Sequence, residues 1–146
     1  MKLSRLYGME IESKDKKIRG HILGITCVND TIDGYICCNE RQKEFFARGE
    51  NCALRKGVLR FDETGKRSKS SVILRLNRAV FAKNGKFCGN LQDCEVKGNS
   101  IISATVSKRK IPFNRIIVGD VFILNDDNTG AEIAAKDMFI DALCRQ

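Results

Sequence analysis

The side chains able to act as nucleophiles, metal ligands or proton carriers are few and lie far apart in the chain. There is one histidine, His21, and there are seven cysteines: Cys27, Cys37, Cys38, Cys52, Cys88, Cys94 and Cys144. An imidazole among thiols can hold zinc, but no two of these cysteines form a Cys-x-x-Cys pair. Nor do the nearest ones, Cys27, Cys37 and Cys38, stand at finger or ribbon spacing from His21. A Cys/His nucleophilic pair would need an oriented base and an oxyanion site as well. Cys37-Cys38 ends an apolar run, so one thiol should point into the fold and the other outward. Arg41 and Lys43 would favour the outer thiolate, while Glu40 and Glu44 oppose it. Glu10 and Glu12 share one face of a strand and can imitate an acid/base pair, but a charge-rich segment of this kind reads as solvated surface. No Gly-x-x-x-x-Gly-Lys-Ser/Thr or Gly-x-Gly-x-x-Gly loop is present. The reading is of a chain with no catalytic residue, no metal and no cofactor, whose cysteines serve as small apolar side chains in a reducing compartment.

Residues suited to binding are easier to find. Lys97, Lys108, Arg109, Lys110 and Arg115 fall in a stretch with no acidic residue from Val96 to Gly119, and Phe113 stands among them. Such a cation cluster with one aromatic ring can contact phosphates and stack on a base or on a partner's side chain. Without more aromatics on the flanking strands, any RNA contact there would be electrostatic and sequence-tolerant. The second candidate is the pair Phe45-Phe46 in the mixed-charge stretch 41–48, a hydrophobic contact point for a protein unless the rings pack beneath the fold.

The chain that must position these residues has 146 of them, 42% hydrophobic and 30% charged, which is a globular balance. Twelve Gly, one Pro and no Trp suggest short segments joined by glycine turns, hence β structure. The net charge of +8 is spread as +4 over residues 1–61, +1 over 62–71 and +3 over 72–146. That is a general attraction to nucleic acid, ribosome or acidic protein rather than a basic tail. No apolar stretch reaches the roughly 18–20 residues of a membrane span. Met1-Lys2-Leu3-Ser4-Arg5 lacks a signal core, so a cytoplasmic location without membrane contact is expected.

Sliding the chain against itself by 69 positions aligns Ile11 with Val80, Lys14 with Lys83, Lys17 with Lys86, Gly20 with Gly89, Ile22 with Leu91, Ile25 with Cys94 and Ile32 with Ile101. Each copy reads as an apolar strand, a charged turn, then apolar, Gly, apolar, which is hairpin grammar. A second hairpin signal follows in each, Val28-Asn29-Asp30-Thr31 and Lys97-Gly98-Asn99-Ser100, before a strand apolar on alternate positions. A polar, basic loop then leads to a last strand, 57–61 in the first copy and 119–124 in the second, with the shorter loop in the second. Residues 62–71 contain no aliphatic or aromatic side chain and read as a solvated linker. The expected division is 1–61, a linker at 62–71, a second domain at 72–125, and 126–146 carrying a helix over about 130–144. Ile133, Ala134, Phe139, Ile140 and Leu143 recur there with helical spacing.

The opening Leu3-Ser4-Arg5-Leu6-Tyr7-Gly8-Met9-Glu10-Ile11, followed by a charged turn and Ile18-Arg19-Gly20-His21-Ile22, resembles the start of PRC-barrel domains. These are small β-barrels named after a photosynthetic reaction-centre subunit and found also at the C-terminal end of the ribosome-maturation factor RimM. The stretch from Leu74 to Leu124 looks like a second barrel, although Asn77-Arg78 stands where the family has a glycine turn. The arrangement is similar to small sporulation-associated proteins of spore-forming bacteria. The resemblance implies a mainly all-β fold of two small SH3-like, PRC-type barrels in tandem with a C-terminal α-helix, and it carries over no catalytic residue. The expectation is a non-enzymatic adaptor for a protein or ribonucleoprotein partner, reached through 41–51 and 108–115. RNA or ribosome association through the basic loop, or a cysteine-based metal or redox role, is the alternative.

Overall fold

Apolar residues on alternate positions, punctuated by short polar turns, form strands along the whole of residues 1–119 and 121–125, the part that the computed structural model describes. A 3-10 turn, Leu3–Arg5, precedes β1 (Glu10–Ser13), β2 (Arg19–Val28), β3 (Thr31–Cys38), β4 (Glu44–Arg48), β5 (Ala53–Arg55) and β6 (Val58–Phe61). β1 pairs antiparallel with β2 and parallel with β6, while β3 joins β2 to β4 and β5 flanks β6. After β7 (Val72–Leu74) come β8 (Ala79–Ala82), β9 (Phe87–Lys97), β10 (Ser100–Val106), β11 (Arg109–Pro112), a second 3-10 turn (Phe113–Arg115), β12 (Ile116–Ile117) and β13 (Phe122–Leu124). β8 pairs antiparallel with β9 and parallel with β13, β10 joins β9 to β11, and β12 flanks β13. The second set repeats the first strand for strand. The described fold is thus mainly β, arranged as one open sheet.

The repeat extends to single residues at the 69-residue offset. Lys16 and Gly85 take positive φ (63° and 85°) in the first hairpin turns, and Asn29 and Gly98 (53° and 60°) in the second. Gly8 has φ 80° and its counterpart Asn77 has φ 67°, so the missing glycine costs the second copy no turn: Asn tolerates the left-handed region. The Gly8 amide donates to the Ile22 carbonyl at 2.7 Å, and the Asn77 amide donates to Leu91, again at 2.7 Å. Gly20 and Gly89 are buried at matching places; a Cβ on Gly20 would run into the carbonyl of Cys38, and one on Gly89 into Ser107.

The expectation of two loops changes. The stretches 41–51 and 108–115 are not loops but contain β4 and β11. In β11, Arg-Lys-Ile-Pro, it is exposure that alternates, with Lys110 and Pro112 exposed and Ile111 buried, so a strand with one wet face reads as a polar loop in the sequence. Residues 62–71 are largely exposed but are not a free tether. The Arg48 amide donates to the Glu63 carbonyl, the Gly65 amide to Phe46, and the Ser68 amide to an Asp33 carboxylate oxygen at 2.9 Å. The helix expected over 130–144 lies outside the described residues. Among the described residues no helix is long and apolar enough to cross a membrane.

The two copies meet through residues that are each other's counterparts. Thr31 pairs with Ser100, the Ile32 amide donates to Asn99 and the Ile101 amide donates to Asp30, both at 2.7 Å. Every partner is 69 residues from its symmetric equivalent, so the junction has local pseudo-twofold symmetry, the self-complementary form of a symmetric dimer contact. The leading segments cross over as well. The Met1 ammonium contacts Glu95 and the Val96 carbonyl, Ser4 donates to Asp93, and β7 pairs with β2. One apolar core, from Leu3 to Leu124, runs through both copies.

Candidate functional site

Outside that core the copies differ along one cross-strand row. In the first, Ala53, Arg60, Glu12 and Arg19 stand opposite one another across β5, β6, β1 and β2. Residues paired in register share a sheet face. The Glu12 carboxylate, 8% exposed, accepts from Arg60 Nε at 3.1 Å and lies 3.4 Å from Arg19 Nε, so this row satisfies its own charges. In the second copy the row is Ile117, Ile123, Phe81 and Phe87. Phe81 and Phe87 meet edge to face at 5.9 Å. Phe87 is 38% exposed and Ile117 46%, with Phe81 and Ile123 half-buried. The same scaffold therefore carries a self-paired charged row in one copy and an open apolar row in the other.

The basic cluster read from the sequence is divided by the pleat of β11. Lys108 occupies the β10–β11 turn, where Ser107 and Lys108 both take positive φ (49° and 64°), and its amide donates to the Gln92 side chain. Lys108 and Lys110 are exposed, whereas Arg109 and Arg115 are half-buried. Phe113 is 1% exposed, which corrects the expectation that its ring could stack on a base or a partner. The short turn that carries it faces the core, and a lone Phe in a basic run gains more by burial than by exposure. Phe45 and Phe46 are both half-buried and do not form one contact point, because neighbours on a strand point to opposite faces. Phe45 packs on Phe61 at 5.9 Å and lies over Gly20, and Phe46 lies over Gly34.

Among the described residues, Cys27, Cys37 and Cys94 are buried and Cys38, Cys52 and Cys88 half-buried. Burial pushes Cys27, Cys37 and Cys94 from an ordinary value of 9.0 up to about 12, and Cys52 up to about 11. Cys38, half-buried, pairs across the strands with exposed His21, which in turn stands opposite Glu10. Sequence spacing could not show this row, since the register of two hairpins creates it. The Cys38 thiol is directed to the Asn39 carbonyl at 3.3 Å. Among the described residues no three His, Cys, Asp or Glu side chains group so as to hold a metal ion.

The apolar row was missed because its four residues come from four strands and pair with partners 6 to 42 positions away, and only that pairing makes them one surface. No known family model matches the chain, and no curated protein matches it.

Proposed function

We propose that the chain is a non-enzymatic adaptor built of two PRC-type β-barrels in tandem, and that the second copy offers its outer face to a protein partner. The duplicated strand pairing supports the tandem part. The observation that carries the partner part is the row Ile117–Ile123–Phe81–Phe87, apolar and partly exposed where the equivalent row of the first copy is charged and internally paired. An apolar row that the scaffold does not require marks an interaction surface. The basic hairpin supports RNA contact less well, because Phe113 is buried and its cations point to both sides of β11.

The test is a pull-down from native cell extract with three forms: the intact chain, Phe87→Glu/Ile117→Glu, and a form with Lys108, Arg109, Lys110 and Arg115 neutralised. A protein kept by the neutralised form and lost by the row variant is the expected result. Equal capture by the row variant overturns it. Ribosomal material lost on neutralisation and at higher salt would favour the RNA reading instead.

A further inference from the structure

A cleft of about 420 Å³ opens beside β7, lined by Arg67, Ser71, Val72, Ile73, Arg75, Arg78, Gly119 and Phe122. Its size falls within the range of small-molecule sites. Three of its lining residues are arginines, drawn from the connection before β7 and the short segment between β7 and β8, and none of the described lining residues is acidic. Arg67 is held in place by its own loop: Nε donates to Ser71 Oγ at 3.0 Å and Nη2 donates to the Ser71 carbonyl at 2.9 Å. The segment is anchored from outside by β7 pairing with β2 and by the Tyr7 hydroxyl donating to the Leu74 carbonyl. The cations are thus presented by a fixed backbone, which lowers the entropy lost when a ligand binds.

The repeat shows that the fold does not require this charge. At the 69-residue offset Arg75 and Arg78 replace Leu6 and Met9, and Leu6 is buried at 1%. Where the first copy places a core leucine, the second places a guanidinium at the edge of a cavity. Three guanidiniums in one cleft suit an anion carrying more than one charge, and the planar fork of arginine matches phosphoryl oxygens two at a time. Val72, Ile73 and Phe122 supply an apolar wall for the rest of such a ligand.

We infer that this cleft binds a small phosphorylated ligand through Arg75 and Arg78, with Arg67 fixed beside them. The site is separate from the apolar row and does not depend on the adaptor reading.

Pyrophosphate is the probe. Titration calorimetry on the full chain should show one saturable site; Arg75→Gln/Arg78→Gln should weaken it by about tenfold or more, from the loss of charge-assisted hydrogen bonds. Lys43→Gln/Lys56→Gln, which removes the same charge elsewhere, should leave it unchanged, and circular dichroism should show all forms folded. Absence of saturable binding, an unaffected arginine variant, or an equal loss in the lysine control overturns the inference. Binding of an oligo-aspartate peptide without pyrophosphate binding overturns it too, in favour of an acidic protein segment.

Discussion

The first copy holds Glu12 between Arg19 and Arg60, while the second holds Phe81 between Phe87 and Ile123, on the equivalent strands, with a register shift between β8 and β9 that sets Phe87 rather than Cys88 opposite Phe81. A buried or half-buried ion triad and an apolar cluster are interchangeable in stability to within a few kcal/mol, so a duplicated scaffold can exchange one for the other without losing its fold. What changes is the surface. The charged row is satisfied internally, whereas the apolar row stays partly exposed. The arginine cleft shows the same divergence, with guanidiniums where the first copy has Leu6 and Met9.

The sharpest way to break the comparison is to ask whether the copies are one cooperative body. Ile11 and Val80 are counterparts, both fully buried. Ile11→Ala should cost about 2–5 kcal/mol and Val80→Ala somewhat less, because its side chain is smaller. Each should shift a single urea transition seen alike by fluorescence and circular dichroism. Two separate transitions, each moved by one variant only, would mean that the shared core does not couple the copies.

A next effect tests the thiols. Cys27, Cys37, Cys52 and Cys94 have pKa values raised by burial, so the folded state favours the neutral thiol. Their stabilising contribution is complete below the ordinary value near 9 and is lost as pH rises towards 12. Urea midpoints should therefore fall above pH 9. In native protein at pH 8, Cys27, Cys37 and Cys94 should resist alkylation while half-buried Cys38 and Cys88 react, as read by mass spectrometry.

Transplanting the apolar row into the first copy, Glu12→Phe/Arg19→Phe/Arg60→Ile, should change stability by only about 1–2 kcal/mol while promoting self-association in sedimentation velocity. Removing Glu12 alone, as Glu12→Ala, should cost about 1 kcal/mol. The arginines it leaves behind are partly exposed, and solvent discounts the loss. The smallest effect concerns the turn that differs in residue but not in shape. Asn77→Gly should be neutral within about 0.5 kcal/mol, and Asn77→Ala should cost about 1 kcal/mol, because alanine pays fully for φ 67°.

Much of this was legible in the residues themselves. Alternation and turn chemistry are local, so the β class, the 69-residue repeat, the hairpin turns at Lys16, Asn29, Gly85 and Gly98 and the opposed faces of Cys37 and Cys38 follow from neighbours a few positions apart. β4 and β11 were hidden because charged residues on a wet strand face look the same as a polar loop. Local rules could not reveal whether Phe113 is exposed, that Glu12 is clasped by arginines 7 and 48 residues away, that Thr31 meets its own counterpart Ser100, or that Ile117, Ile123, Phe81 and Phe87 form one row. Each depends on strand register and on which copy covers which face. Those contacts join residues distant in the chain, and their loop-closure cost is met only once the whole core assembles, so only the tertiary structure decides them.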